Sequence, residues 1–423
     1  MNYRTRTTYL DAESTVDNVY LNVVIDHPDY VPVLNGPTGP NFPVALATKE
    51  TPINAEYNVT KTEALLQKCS DFYCSVVRFT IPLDETPLLI MPIIPNQSDP
   101  NLSPLIIGIE YTGSASNPGT YFPNNIIYVS SNISYPPPQQ ISFSQIITPY
   151  YFVFSYKSFI DLINTALLAS WVSSGLAAAL PNYVPPYFYL DAVTNLINVV
   201  LPIVFNPSPA SAIGTPKLFM NAVLQNYLDT FNLTFTGFDM PHGNDVYLNI
   251  VNVKPENYYY PNGVTVPTTT VPTGAVPSLP YYLKFAQEYS VLEYWSSLRK
   301  IIITTNAIPV RNEYLPVANN TVNANIDSGG GNVSYPILSD FVPNIATSAG
   351  SSRSIAYYVP SAQYRLVDLQ SDTQLQTIDI RMYWLDLEGN IHPIQISILQ
   401  QASVKLLFTR KSLYKNHSHT LEI

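Results

Sequence analysis

Charge is scarce in this chain of 423 residues, of which only 12% are Asp, Glu, Lys or Arg. That fraction is about half of the ~25% typical of globular proteins. The net charge is −10, and the body of the chain has no basic patch, which argues against a nucleic-acid-binding protein. Because 46% of the residues are hydrophobic, low charge does not indicate disorder. The length suits two or three domains, or one large β domain with an insertion.

Cysteine and long apolar runs are also scarce. The two cysteines, Cys69 and Cys74, have a C-x4-C spacing without a nearby histidine, which is a poor zinc signal. Two free thiols in a reducing compartment is the simplest interpretation, and a disulfide over so short a loop is not implied. The N-terminus lacks the apolar core of a signal peptide. No run reaches the ~18 apolar residues that span a bilayer, so we expect no membrane span.

Proline and tyrosine are abundant, with 38 and 32 residues against only 16 glycines. Many prolines favour loops and edge strands and disfavour long helices. Tyrosine favours strands and protein–protein contacts because its ring is apolar and its hydroxyl is polar. The composition therefore fits a subunit packed against neighbours, and it fits a secreted β-sandwich with many turns equally well.

The most regular pattern lies at Thr377–Arg410. Apolar residues alternate with polar ones in Ile378–Trp384 and again in Ile394–Ile398, and a third apolar run is Val404–Phe408. The intervening Asp386–Asn390 has turn chemistry, since Gly389 and Asn390 both tolerate a positive φ. We predict a three-strand meander at one edge of the main β core. Its predicted core residues are Ile380, Met382, Trp384, Ile396 and Leu406.

Short β-type runs recur along the chain at spacings of roughly 10–20 residues, separated by proline and asparagine, and indicate an all-β sandwich or jelly roll. The predicted strands outside the meander are Val19–Ile25, Asp71–Pro82, Pro87–Ile94, Leu105–Tyr111, Ile126–Val129, Arg299–Thr305, Leu338–Pro343 and Ile355–Pro360.

The middle of the chain differs, because apolar residues there follow helical spacing at 157–171 and 218–231. Proline-rich connectors join these segments, and 255–280 predicts a long exposed loop. We therefore expect a mainly β protein in which one jelly roll is built from N- and C-terminal segments around a mixed α+β insertion. The predicted limits are 1–144, 145–285 and 286–423.

Motifs for catalysis are missing from the sequence, which has no nucleophile elbow, zinc-protease, phosphate-loop or dinucleotide pattern. The adjacent acids Asp84 and Glu85 lie in a turn, and a glycosidase pair built from distant acids would leave no sequence signal. No histidine has a second His or Cys nearby at a spacing typical of metal ligands, apart from His417 and His419, which give only a weak signal for a metal site. The five histidines are His27, His242, His392, His417 and His419. We expect no enzyme activity, no catalytic or metal residues and no cofactor.

Several segments together resemble the penton (minor capsid) proteins of virophages and polinton-like viruses. The resemblance lies in pieces: Lys68–Pro92, Tyr151–Trp171, Tyr289–Pro316, Leu338–Pro343 and Tyr358–Lys411. The last is the most informative, because a strand, the DLEGN turn, a strand and VKLLFTRK look like the closing portion of those proteins. No single motif among them is diagnostic.

The resemblance implies a structural role in the virion, assembled inside the host cell. Five copies would form the vertex capsomer of an icosahedral shell, surrounded by trimers of a double-jelly-roll major capsid protein. The insertion would face outward toward a fibre or a host receptor. The basic termini, with Arg4 and Arg6 at one end and Arg410, Lys411, Lys415, His417 and His419 at the other, would face inward and contact packaged DNA weakly. No Arg-Gly-Asp tripeptide occurs, so no integrin-type loop is carried over.

Two alternatives stay open at this point. The chain could be another capsid protein of the same virion, such as a double-jelly-roll major protein, and the number of jelly rolls distinguishes the two. A receptor- or glycan-binding β-sandwich of a fibre or adhesin is an alternative of another class, which would show a shallow groove lined by aromatic or polar residues.

Overall fold

The computed structural model describes most of the chain. The described residues are 17–27, 52–94, 97, 99, 101–111, 119–130, 150–206, 215–235, 245–251, 253–259, 282–292, 294–315, 333–342, 355–358, 365–386, 389, 391–397 and 400–415. The Asn- and Gly-rich segment 317–334, whose composition is typical of a loop, lies almost entirely outside them. Of the predicted loop at 255–280, only the first five residues are described.

Strands dominate the described residues, which confirms the mainly β prediction. In chain order they are β1 (Asn18–Asp26), β2 (Ile53–Asn54), β3 (Glu56–Thr60), β4 (Phe72–Pro82), β5 (Leu89–Pro92), β6 (Leu102–Tyr111), β7 (Thr120–Ile127), β8 (Tyr150–Val153), β9 (Tyr187–Leu190), β10 (Ile197–Pro202), β11 (Lys217–Met220), β12 (Leu233–Phe235), β13 (Val246–Leu248), β14 (Tyr258–Tyr259), β15 (Tyr282–Ala286), β16 (Lys300–Thr304), β17 (Glu313–Leu315), β18 (Val333–Tyr335), β19 (Ile337–Phe341), β20 (Ile355–Tyr358), β21 (Val367–Asp368), β22 (Thr377–Leu385), β23 (Ile391–Pro393), β24 (Gln395–Ile396) and β25 (Gln401–Arg410).

Helices are few in the described part of the chain. The α-helices are α1 (Tyr156–Ser173), α2 (Leu176–Ala179), α3 (Ala222–Gln225) and α4 (Ser412–Lys415), and short 3-10 helices lie at Cys69–Asp71, Ile203–Phe205 and Pro255–Asn257. The helix predicted at 157–171 is α1. It begins after Ser155, whose side chain accepts a hydrogen bond from the backbone N–H of Ser158, an N-cap that satisfies one free donor.

The chain divides into two compact units. The sandwich unit is formed by described residues within 1–86, 297–345 and 352–423, and the inserted unit lies within 87–296. The predicted insertion limits, 145 and 285, differ from these. The reason for the earlier start is that β6, which we assigned to the first part of the jelly roll, pairs with β11 and β7 of the inserted unit.

The sandwich unit contains two larger antiparallel sheets, besides the two-stranded pairs β17-β18 and β2-β24. One has the order β1-β25-β4-β20, with β21 also on β4, and the other has the order β19-β16-β22-β23, with β3 also on β22. Eight of these strands, taken in chain order, pair first with eighth (β1 and β25), second with seventh (β3 and β22), third with sixth (β4 and β20) and fourth with fifth (β16 and β19). That is a long hairpin folded over into two sheets, which is the jelly roll.

Alternate residues of each strand fill the sandwich core. Phe79 of β4 packs against Phe341 of β19, with ring centroids 4.1 Å apart, and so joins the two sheets. The five predicted core residues of the C-terminal segment, Ile380, Met382, Trp384, Ile396 and Leu406, are all buried, which confirms their prediction. Gly389 has a φ of 88°, as the predicted turn requires.

The predicted three-strand meander is wrong in its connectivity. β22 is followed by β23, which pairs with it, but β24 pairs with β2 and β25 lies in the other sheet. β25 is also not an edge strand, because β1 and β4 flank it on both sides. Alternating apolar residues define which face of a strand is buried, whereas its neighbours are chosen by pairing with segments hundreds of residues away.

The inserted unit has a different connectivity. Its larger sheets have the orders β12-β13-β11-β6-β7 and β14-β15-β10-β9, in which many neighbours are also successive along the chain. Helix α1 packs against β6, β7 and β9. One face of α1 contributes Phe159, Ile163, Leu167 and Trp171 to a large core shared with both sheets.

The second predicted helix, at 218–231, is mostly wrong. The segment begins in strand β11, and only the single turn α3 is helical. Asn221 explains the break, because its side-chain oxygen accepts from the backbone N–H groups of Ile106 and Leu224 and its amide donates to Pro104 O. The helically spaced residues Met220, Leu224, Leu228 and Phe231 are nevertheless buried. Tertiary pairing with β6 therefore overrides the local periodicity.

Replacing Trp384 by alanine should destabilise the sandwich unit by ~3–5 kcal/mol, because the indole is 4% exposed and its loss leaves a cavity. Chemical denaturation of the purified chain measures this. Val342→Ala, at a 73% exposed position of the same unit, is the control and should change stability by less than ~0.5 kcal/mol. Unchanged stability with lost solubility or assembly would place Trp384 at an interface instead.

Candidate functional surfaces

The adjacent acids Asp84 and Glu85 bind another loop of the sandwich unit. Gln400 donates to the Asp84 carboxylate and Ser397 donates to Glu85. Burial raises the pKa of Asp84, and the neighbouring charge of Glu85 raises it further. These partners are the loop between β24 and β25, so the pair joins two loops.

His392 pairs with a buried carboxylate. Its Nε2 lies 3.0 Å from Asp386 Oδ2, and Asp386 is fully buried just after β22. The imidazole also stacks on the Trp384 ring, with centroids 4.4 Å apart. Because both partners flank the turn between β22 and β23, this pair holds that turn closed against the core. His392 itself lies in β23 and is half-buried, with 24% of its side chain exposed.

Asp379 organises a third loop, which the sequence analysis did not identify. Its carboxylate accepts from the Thr305 hydroxyl at 2.7 Å and from the backbone N–H groups of Asn306 at 2.8 Å and Ala307 at 2.6 Å. Thr305 Oγ1 in turn accepts from the N–H of Ile308 at 3.0 Å. The position of Asp379 between apolar residues of β22 predicted a solvent-facing side chain, and nothing in the sequence indicated its burial against the 305–308 turn.

Both cysteines are buried and are not joined by a disulfide. Burial raises the pKa of both thiols, most strongly that of Cys74. The thiols are thus held in their unreactive protonated form. This agrees with the interpretation of two free thiols.

Within the part of the chain that the structure describes, no group of three or more His, Cys, Asp and Glu side chains is arranged to hold a metal ion. His242, His417 and His419 lie outside that part. The tryptophans Trp171, Trp295 and Trp384 are buried. Among the described helices, none has the length and apolarity needed to cross a bilayer.

Two of the basic C-terminal residues are bound within the sandwich unit. The Arg410 guanidinium lies 5.5 Å from the centre of the Phe72 ring. The Lys411 ammonium donates to the carbonyl oxygens of Ser70 at 2.6 Å and Leu369 at 3.1 Å, and it pairs with Asp368. These contacts hold the end of β25 against the start of β4 and against β21. Arg4, Arg6, His417 and His419 lie outside the described residues.

An uncharged apolar patch lies on the outer side of the C-terminal half of α1 in the inserted unit. Leu168 and Val172, one turn apart, are 47% and 58% exposed, and Ala169 beside them is exposed too. The sequence from 162 to 190 contains no charged residue. Exposed apolar residues at the spacing i, i+4 form one continuous stripe, and such surfaces mark contacts with other proteins.

A second surface of the inserted unit is aromatic. Tyr187 and Tyr189 of β9, Tyr259 of β14 and Lys284 of β15 lie on one face of their sheet and are all half-buried. The Lys284 ammonium is 5.6 Å from the centre of the Tyr189 ring and 5.9 Å from that of Tyr259. Burial, with smaller contributions from the neighbouring tyrosines, raises the pKa of Tyr187 to about 12. Tyrosine-rich surfaces of this kind are typical of protein interfaces.

Known proteins match this chain over most of its length. The model of the family "Sputnik minor capsid protein V18/19" matches residues 41–410. Structural protein V19 of Sputnik virophage is 26% identical over 229 residues, which are 54% of this chain and 95% of that protein. Protein V18 of Sputnik virophage, which is uncharacterised, is 32% identical over 119 residues, 27% of this chain and 68% of that protein.

Two solved structures share the fold. A chain of the Sputnik virophage particle, determined by cryo-EM, has a TM-score of 0.71 and 24% identity and covers 94% of this chain and 99% of its own. The crystal structure of the mavirus penton protein has a TM-score of 0.53 and 14% identity, covering 93% and 99%. At these identities the similarity establishes the fold.

The fold and its surfaces define a structural β protein of the jelly-roll class, which viral capsid subunits share with lectins and cupins. With the family match across residues 41–410, the chain belongs to the Sputnik minor capsid protein V18/19 family. It is a structural protein of a virophage capsid, and the virion is where it resides. The predicted resemblance to virophage minor capsid proteins is thereby confirmed.

Asp379→Asn should destabilise the sandwich unit by about 1.5–3 kcal/mol, because the turn at 305–308 loses a charged acceptor. Thermal or denaturant unfolding measures the loss. Asp372→Asn is the matched control, since its ion pair with Lys68 is exposed to solvent and should contribute much less to stability. Equal effects of the two substitutions would contradict a special role for Asp379.

Both thiols should resist alkylation in the folded chain, because burial keeps them protonated. Mass spectrometry after iodoacetamide treatment at pH 8 should find no label on the native protein and two labels after denaturation. Rapid labelling of native Cys74 would show that β4 opens readily around it.

Proposed function

We propose that this chain forms the vertex capsomer, or penton, of an icosahedral virophage-type capsid as a homopentamer. In this role it binds four kinds of surface: two on its own neighbours in the ring, and others on the surrounding major capsid protein and a fibre or receptor. It carries out no catalysis and needs no cofactor. Five-fold rings use heterologous contacts that close, so each copy presents two different complementary surfaces.

The observation that carries this proposal is the number of jelly rolls. A double-jelly-roll major capsid protein has two such sandwiches in tandem. Here the described strands form one jelly roll, and the inserted unit between β4 and β16 has another connectivity, in which β9 pairs with β10 and β12 with β13. The mavirus penton protein supports the proposal, because its fold matches over 93% of this chain, a span that includes both units.

The composition and surfaces of the chain suit several permanent interfaces. Permanent interfaces typically bury on the order of 2,000 Å² or more and are depleted in charge. The uncharged stripe of Leu168, Ala169 and Val172 and the aromatic face around Tyr189 and Lys284 are surfaces of that kind. Both lie on the inserted unit, which we propose to be the outward part that contacts a fibre or a host receptor.

Contact with packaged DNA, through the basic termini, would be weak. The described basic residues Arg410 and Lys411 are already bound to Phe72, Asp368 and backbone carbonyls. The remaining basic residues of the two termini are Arg4, Arg6, Lys415, His417 and His419, which are too few for strong binding to nucleic acid.

The experiment that tests the proposal is the mass of the purified chain in solution, measured by native mass spectrometry with negative-stain images of the particles. The expected result is a species of five times 47.1 kDa and five-fold rings. A trimer would contradict it and favour a major capsid or fibre protein. A monomer that binds glycan in a shallow groove, and does not enter rings when the major capsid protein is added, would favour the adhesin alternative.

A further inference from the structure

Among the described strands, β1 lies at an edge of its sheet in the sandwich unit and pairs on one side only. β1 pairs with β25 without a register shift from Asn18–Thr409 to Asp26–Gln401. The backbone N–H of Arg410 donates to the carbonyl of Asp17 at 2.8 Å. Antiparallel pairs alternate between bonded and non-bonded positions, so residues 17, 19, 21, 23 and 25 bond to β25. The backbone groups of the residues between them point away from the sheet.

The neighbouring pair of strands supports the same assignment. The N–H of Lys411 donates to the carbonyl of Asp71 at 2.8 Å, so the odd-numbered residues at that end of β25 bond to β4. The backbone N–H and C=O groups of the even-numbered residues of β25 therefore point toward β1. The hydrogen bond from Arg410 to Asp17 requires the same arrangement. Four residues of β1, namely Asn18, Tyr20, Asn22 and Val24, thus direct both N–H and C=O outward, and no hydrogen bond joins those groups to another described residue.

This edge lacks the devices that normally prevent pairing with another chain. Proteins protect edges with short strands, proline, bulges or charge. Other edges among the described sheets have them: β12 is three residues long, β7 contains Pro123, and β19 carries Asp340 in ion pairs. β1 is nine residues long with no proline, lysine or bulge, and its only charge is Asp26 at the end.

We propose that the open edge of β1 binds an extended segment of a second copy of this chain, which continues the sheet from one subunit to the next. The inference rests on the proposed function, since it assigns one of the contacts of the ring. Pairing of this kind draws affinity from main-chain hydrogen bonds, and alternate side chains give specificity. Here Tyr20, 53% exposed with the Lys405 ammonium 4.6 Å from its ring centre, stands beside the incoming strand.

A second copy is the occupant that the sheet itself favours. β1 and β20 are opposite edges of one sheet and run antiparallel to each other, because three antiparallel pairings separate them. If the β20 edge of one copy lay beside β1 of the next copy, these two strands would also be antiparallel, and the sheet would continue with the same alternation of strand direction. A heterologous ring requires two different, complementary surfaces on each copy, and the two edges of one sheet meet that requirement.

The test substitutes the one residue whose backbone donor faces outward at the middle of the edge. Asn22→Pro removes the outward N–H and leaves the ladder to β25 intact, since proline is tolerated on edge strands. Asn22→Ala is the matched control, because it alters the side chain and keeps the N–H. Rings of the full chain are diluted, and their dissociation is followed by mass photometry. Asn22→Pro should raise the midpoint concentration by roughly tenfold or more, and Asn22→Ala should leave it unchanged.

Hydrogen exchange of the wild-type chain gives a second measurement that does not depend on the folding of a variant. The amides of Tyr20, Asn22 and Val24 should exchange quickly in the dissociated subunit and at least roughly tenfold more slowly in the ring. Fast exchange in both states, or rings of Asn22→Pro as stable as wild type, would overturn the β1 contact and leave the pentamer intact. A wild-type chain that forms no ring would overturn the pentamer, and the β1 contact with it.

Discussion

The pairing of β25 on both sides is the interaction on which the sandwich unit depends. Near the C-terminus of the chain, β25 lies between β1, from near the N-terminus, and β4. Its inner residues Val404, Leu406 and Phe408 are buried. Because every pairing of the eight main strands except that of β16 with β19 joins distant segments, the sheets form only when both ends of the chain are present. Folds dominated by such long-range contacts form slowly.

In the inserted unit, neutral amide side chains join one secondary-structure element to another, a role that ion pairs have in many proteins. Asn164 of α1 accepts from the N–H of Phe188 at 2.7 Å and donates to its carbonyl at 2.9 Å, which fixes α1 against β9. Gln287 accepts from the N–H of Ile197 at 3.1 Å and donates to the carbonyl of Asp229 at 2.6 Å. An amide satisfies a donor and an acceptor at once and avoids the desolvation cost of a buried charge. A chain with 12% charged residues can therefore still position its elements specifically.

The few buried carboxylates of the described residues bind loops and turns. Asp379 binds the turn at 305–308, and Asp386 pairs with His392 beside Trp384. In each case a carboxylate satisfies groups that the strands leave without partners at their ends. This use suits a capsid subunit, which must keep its shape while it is packed against its neighbours.

The sequence alone determined the class of the fold, the buried face of most strands and helix α1. These are local properties: alternation at Ile380, Met382 and Trp384 or a helical repeat at Phe159, Ile163 and Leu167 follows from which side of one element meets the core. The resemblance of segments also identified the family. The sequence did not determine which strands are neighbours, where the inserted unit begins, or that 218–231 is mostly not helical. The open edge of β1 and the burial of Asp379 were equally hidden. Those features depend on contacts between residues such as Asn221 and Ile106, or Asn18 and Thr409, which are far apart in the chain and leave no periodic trace in it. Only the tertiary structure decided them.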